Sequence, residues 1–259
     1  MKQHYKYLKY FLFIIFFSIF LWLSKNHIIN YFKKSHSINE VSASYQAHHS
    51  KIFKLHQDCS FGIDVSEYQD HIHWHELKTI DDKVAIDFVI IRATAGKDKI
   101  DSKFKKNWQK ATQKQLIRGA YHYYRPNENS IEQAENFIKN VKLAKGDFPP
   151  ILDIEKLPKT QSIDSLKVGL KRWLIKIENH YGVQPIIYSG ESYYNNFLHK
   201  EFSNYQFWIA NYNLDKKYHH NDCLMWQFSE NGKVKGINSL IDLNVFNGNK
   251  SKLKSALIE

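Results

Sequence analysis

At 259 residues, 43% hydrophobic and 24% charged, the chain is long enough for one large domain with a real core plus a short extra segment. Its 37 Lys and Arg against 26 Asp and Glu give a net charge of +11, which calls for an anionic partner: nucleic acid, a lipid surface or a cell-wall polymer. No aromatic RNA-binding signature or zinc knuckle accompanies the charge, so no nucleic-acid partner is expected.

Residues 1–24 are predicted to form a membrane anchor or uncleaved signal. Lys2, Lys6 and Lys9 lead into an apolar run from Tyr10 to Leu23, and Ser24 is followed by Lys25, Asn26 and His27 rather than by the small residues of a cleavage site. The run is short of the ~20 residues of a spanning helix. Tyr7, Leu8, Ile28 and Ile29 extend it. Lysines on both sides leave the orientation open, and a late cut near Ala43 would give a secreted form instead. Residues 25–58, rich in His, Ser, Lys and Asn and without sustained periodicity, read as a polar linker. Residues 1–58 hold +6 of the charge, so the domain expected at 59–259 is only mildly basic.

From Cys59 onward, eight apolar or β-branched runs read as strands: Phe61–Val65, Phe88–Thr94, Gly119–Tyr124, Pro150–Ile154, Gln184–Tyr188, Phe207–Tyr212, Leu224–Phe228 and Leu240–Phe246. Helical spacing appears between the early ones. It runs through Phe104, Trp108 and Ala111, then through Ile131, Ala134, Ile138 and Val141 behind a Ser130-x-x-Gln133 capping box. A third helix, through Leu166, Leu170, Trp173, Leu174 and Ile177, ends at Gly182. This alternation predicts an α/β fold with a parallel sheet. Eight strands in so short a domain favour a modified β/α (TIM-like) barrel, regular in the first half and short of helices in the second. Cys59 and Cys223 allow one disulfide or two thiols, and their spacing offers no metal-ligand set.

Several strands end in acids: Asp64, Asp153 with Glu155, and Asp242. Strand alternation puts Asp153 and Glu155 on one face, with Leu152 and Ile154 on the other. Repulsion and partial burial then raise the pKa of one carboxyl and leave its neighbour an anion, which is what glycoside hydrolysis requires. The same acids could instead hold Mg²⁺ or Ca²⁺ at the barrel mouth. Aromatic and amide groups suited to covering and reading a sugar accompany them: Tyr121, Tyr123, Tyr188, Trp208, Tyr212 and Gln227. Trp226 is expected to pack in the core, and His122 to be a hydrogen-bonded barrel residue rather than a base.

These motifs, in order, resemble those of the glycoside hydrolase family 25 muramidases. The resemblance covers residues 61–247: Phe61-Gly-Ile-Asp-Val-Ser66 with Gln69, Phe88-Val-Ile-Ile-Arg-Ala-Thr94, Gly119-Ala-Tyr-His-Tyr123, Pro150-Ile-Leu-Asp-Ile-Glu155, Pro185-Ile-Ile-Tyr188, Trp208-Ile-Ala-Asn-Tyr212, Trp226-Gln-Phe228 and Ile241-Asp-Leu-Asn244. It implies hydrolysis of the β-1,4 bond after N-acetylmuramic acid in peptidoglycan, without a cofactor or catalytic metal. Glu155 would be the general acid and Asp153 its assistant at the acetamido group or developing cation, with Asp64 and Asp242 flanking them. Substrate-assisted, retaining hydrolysis fits that arrangement. One departure is Ala95, where many relatives carry an acid. The implied partners are peptidoglycan strands and, through the N-terminus, the cytoplasmic membrane, with a monomeric domain on the extracytoplasmic side. A silent wall-binding module and a barrel hydrolase of chitin-like chains remain as alternatives.

Overall fold

The computed structural model describes residues 44–213 and 223–259. The predicted anchor and the linker up to residue 43 lie outside the described residues. Among those described, no helix is long and apolar enough to cross a membrane. The chain divides into compact units Met1–His49 and Ser50–Glu259. Residues 44–55 are helical (α1), so the tract read as a linker to residue 58 ends in regular structure. Within the second unit, α1 buries Ile52 and Phe53, and Phe53 meets Phe61 and Phe228 edge-on at 5.1 and 6.1 Å. The packed domain thus begins before Cys59.

Eight strands close into a barrel: β1 (Ser60–Val65), β2 (Phe88–Ala95), β3 (Ile117–Tyr123), β4 (Ile151–Asp153), β5 (Ile186–Gly190), β6 (Gln206–Ala210), β7 (Met225–Gly232) and β8 (Ile241–Phe246). Each of β1 to β6 pairs parallel with the next. By contrast, β8 runs antiparallel to both β7 and β1. An all-parallel sheet fails at that strand for a plain reason. Residues 233–240 are fewer than the dozen or so that a parallel crossover needs.

Among the described residues, full helices follow only β2, β3 and β4: α2 (Phe104–Gln113), α3 (Ser130–Asn140) and α4 (Ile163–Tyr181). After β1 the chain makes one 3-10 turn, Glu67–Gln69, and the small hairpin Thr79–Ile80/Val84–Ala85. After β5 it makes the short turns Glu191–Tyr193 and Tyr194–Leu198. A last helix, α5 (Lys250–Ser255), follows β8. The third predicted helix forms as read: Ser162 caps it, Leu166, Leu170, Trp173, Leu174 and Ile177 are buried, and Gly182 closes it at φ 69°.

The predicted capping box at Ser130 is displaced by one residue. Asn129 is the cap, its side chain accepting from the N–H groups of Ile131 and Glu132. Gln133 is spent elsewhere, accepting from Arg125 N–H at 2.9 Å and meeting His122 Nε2 at 3.2 Å. A true capping box forms instead at Ser66 and Gln69, immediately after β1.

Strand alternation sorts side chains into two layers. Ile63, Val65, Val89, Ile91, Leu152, Ile187, Ile209 and Leu243 face outward into the main core under the helices. Phe88, Ile90, Ile151, Ile186, Trp208, Met225 and Phe246 fill the barrel itself. His122 and Trp226 belong to the outer layer. His122 is fully buried, stacked on Trp173 at 5.5 Å and bonded to Thr94, and burial depresses its pKa to about 4. It is neutral and structural, as expected. Cys59 and Cys223 are not joined in a disulfide, and Cys223 Sγ accepts from Asn247 Nδ2 at 3.2 Å.

Candidate active site

The inward positions near the C-terminal ends of the parallel strands are polar: Asp64 on β1, Arg92 on β2, Tyr121 on β3, Asp153 on β4, Tyr188 on β5 and Gln227 on β7. Because β8 is reversed, its N-terminal end brings Asp242 to the same mouth, directly opposite Asp64 in the antiparallel pairing. Tyr123, Asp153, Tyr188 and Trp208 lie in register across β3 to β6.

Asp153 is 4% exposed, and burial followed by the nearby Glu155 charge holds its carboxyl well above the usual range. The Glu155 carboxyl beside it adds to that rise. Its Oδ1 is buried without a hydrogen-bond partner. The backbone around it is fixed: Tyr124 N–H donates to Asp153 O at 2.8 Å, Ile154 N–H to Tyr188 O at 3.0 Å, and Ser189 Oγ–H to Ile154 O at 2.6 Å. Glu155, just past the end of β4, is exposed and lines a cavity of about 400 Å³ with Tyr188, Glu191, Asn211 and Tyr212. One acid is thus held in the wall and its partner is presented to the cleft.

The flanking acids form a second pair. Asp64 Oδ2 accepts from Gln227 Nε2 and Asn244 Nδ2, each at 2.8 Å. Burial raises both carboxyls of the pair, and the neighbouring Asp64 charge pushes Asp242 up further, so Asp242 is the protonated member that donates to Asp64. Gln227 accepts from Tyr188 Oη at 2.9 Å and from Tyr212 Oη. Trp208 Nε1 donates to Asn244 Oδ1 at 2.9 Å.

This network revises the predicted sugar-binding set. Trp208 is 2% exposed and Tyr188 8%, so both shape the floor and offer little face to a sugar. Gln227 is committed to Asp64 and the two tyrosines. Tyr212, 39% exposed, together with half-buried Tyr121 and Tyr123, can cover a ring. Tyr121 is held well above the usual tyrosine range by burial and by the charges of Asp64 and Asp153, and Lys156 lies 5.6 Å over the Tyr123 ring.

Asn244 was not among the predicted site residues, although it stands two positions from Asp242 on the same strand face. Alternation alone points to it. Arg92 was also missed. Its guanidinium donates to Asp101 at 2.9 Å and Glu67 at 3.2 Å beneath the Tyr68 ring. Ala95 is buried.

Comparison with known proteins matches residues 63–237 to the model for glycosyl hydrolases family 25. Lysozyme M1 of Streptomyces globisporus is 30% identical, over 74% of this chain and 69% of its own length. The Escherichia coli O157:H7 protein YegX is 37% identical, over 79% and 77%. A solved family 25 glycosyl hydrolase from Bacillus anthracis superimposes with a TM-score of 0.68 at 29% identity, over 77% of this chain and 94% of that one. A barrel with paired acids at its mouth, matched by family model, sequence and structure alike, places this chain in glycosyl hydrolase family 25 as a glycoside hydrolase.

Proposed function

We propose that the chain is a muramidase that hydrolyses the β-1,4 bond between N-acetylmuramic acid and N-acetylglucosamine in peptidoglycan, with Glu155 as general acid. The observation that carries this reading is the pairing of exposed Glu155 with buried Asp153, whose Oδ1 lacks a partner. An unsatisfied buried acceptor is costly, and a substrate acetamido N–H would relieve it. The lysozyme relatives supply the substrate class.

In the proposed reaction the proton shared by the pair moves to Glu155, which gives it to the leaving glycosidic oxygen as the C1–O bond breaks. Asp153, now an anion, accepts from the acetamido N–H while the acetamido oxygen bonds to C1. Water then opens this ring with Glu155 as base, so the β-configuration is retained, one of the recognised departures from the two-carboxylate scheme. Asp64 and Asp242 hold the floor beneath the reacting sugar. Tyr121, Tyr123 and Tyr212 contact the glycan, whereas Tyr188, Trp208 and Gln227 set the positions of those groups. No step calls on a cofactor. Residues 1–24 are proposed to tether the barrel to the cytoplasmic membrane on the extracytoplasmic side, where the wall lies.

The test is digestion of purified peptidoglycan by the full chain. New reducing ends should be N-acetylmuramic acid, and NMR of the first-formed product should show the β-anomer. Reducing N-acetylglucosamine ends would refute the bond assignment, and a first-formed α-anomer would refute the acetamido route. Binding without release of ends would favour a silent wall-binding module.

A further inference from the structure

The segment that leaves β1 carries histidine at alternate positions, His71, His73 and His75, followed by Glu76. Burial alternates along this stretch, which turns at residues 74–76. Ile72 and Trp74, between them, are 4% and 5% exposed, while the three imidazoles stand in solvent. The apolar side therefore anchors the segment and holds the polar side in place. Backbone bonds fix it further: His73 N–H donates to Gly236 O at 2.8 Å, and Glu76 N–H to His73 O at 2.9 Å. A Cβ on Gly236 would come within 2.6 Å of His73 O, so this seam depends on glycine.

Ligand-type atoms of His73, His75 and Glu76 lie within 4.8 Å of one another, and His75 Nε2 is 3.5 Å from Glu76 Oε1. Around a tetrahedral zinc ion with bonds of about 2.0–2.1 Å, neighbouring ligand atoms are about 3.3 Å apart. One pair is already near that spacing. The remaining gap closes by rotation of His75, whose side chain is 79% exposed. His71 stacks edge-on against His73 at 4.7 Å, but its Nδ1 faces the Lys106 ammonium at 3.5 Å, which disfavours a dication there. Two imidazoles and one carboxylate form a donor set of the borderline kind that suits Zn²⁺ better than Mg²⁺ or Ca²⁺.

We propose that His73, His75 and Glu76 bind a borderline transition-metal dication of the Zn²⁺ class, with a fourth position filled by water. None of these residues belongs to the acid pairs, so the site is not part of the hydrolytic chemistry. Its place is structural. The segment is bonded to residues 233–237, which precede β8 and Asp242, and Ile80 bridges to Val234 in the same seam. A bound ion would stiffen this edge of the barrel mouth.

The test uses the full chain, purified without a histidine tag, stripped with EDTA and titrated with Co²⁺ and then Zn²⁺. One equivalent of Co²⁺ should give the visible d–d absorption of a low-coordinate nitrogen and oxygen site, and Zn²⁺ should abolish it. The double variant His73→Ala/His75→Ala should bind at least tenfold more weakly while melting at the wild-type temperature in EDTA. Wild-type affinity in the double variant, or no saturable step in the wild type, would overturn the proposal. Unchanged affinity in Glu76→Gln would remove the carboxylate from it. These readouts do not involve peptidoglycan, so failure here and failure of the muramidase reading are separate results.

Discussion

Asp64 and Asp242 stand opposite each other across β1 and β8, where two carboxylate charges repel, so one proton is retained between them. The sign of the pH effect follows. Asp242 has a folded pKa raised to about 9, against about 3.9 when unfolded, so its contribution to stability is complete below about pH 4 and is lost as pH rises through 9. Asp242→Asn keeps an N–H donor for Asp64 but cannot ionise. It should melt close to the wild type at pH 4 and above it at pH 9, by roughly 1–3 kcal/mol in thermal denaturation. Equal differences at both pH values would contradict the pairing. At this scale the sequence was readable where alternation alone decides, as for Asp153 and Glu155. It was unreadable where partners come from distant strands. Nothing local to Gln227 shows that Asp64, Tyr188 and Tyr212 will occupy its amide, and nothing near Trp208 shows that it will lie on the barrel floor with Asn244.

At the scale of elements, each predicted run became a strand, and the helix ending at Gly182 formed as read, because hydrophobic period and termination agreed there. The misreadings have local causes. Asn129 outcompeted Ser130 as a cap, and the bond between Gln133 and His122 is a tertiary contact invisible in a four-residue motif. The reversal of β8 follows from connection length, which was available in the sequence but outweighed by the expectation of a uniform barrel. Close packing of β1 on β2 gives a direct test. A Cβ at Gly62 would lie 2.3 Å from the Phe88 ring, fully buried inside the barrel. Gly62→Ala should cost about 1–3 kcal/mol or more in urea unfolding through overpacking. A loss below about 0.5 kcal/mol, the size of an ordinary surface change, would show that the ring is free to move.

For the whole molecule, the domain start was misplaced because the polar composition of 25–58 masks the two apolar residues that matter, Ile52 and Phe53. Residues 60–259 should therefore be less stable than residues 44–259 by about 4 kcal/mol or more, the cost of stripping two large side chains from a core. Equal urea midpoints would contradict that. The proposed anchor predicts that the full chain sediments with membranes and resists carbonate, while residues 44–259 stay in the supernatant. The central claim is that a buried acid and an exposed one cooperate at the barrel mouth to cut peptidoglycan. It is tested most directly by the rate of reducing-end release from purified peptidoglycan by the full chain and by Glu155→Gln. The account predicts a loss of about a thousandfold in rate at unchanged melting temperature, and a variant within tenfold of the wild type would contradict it.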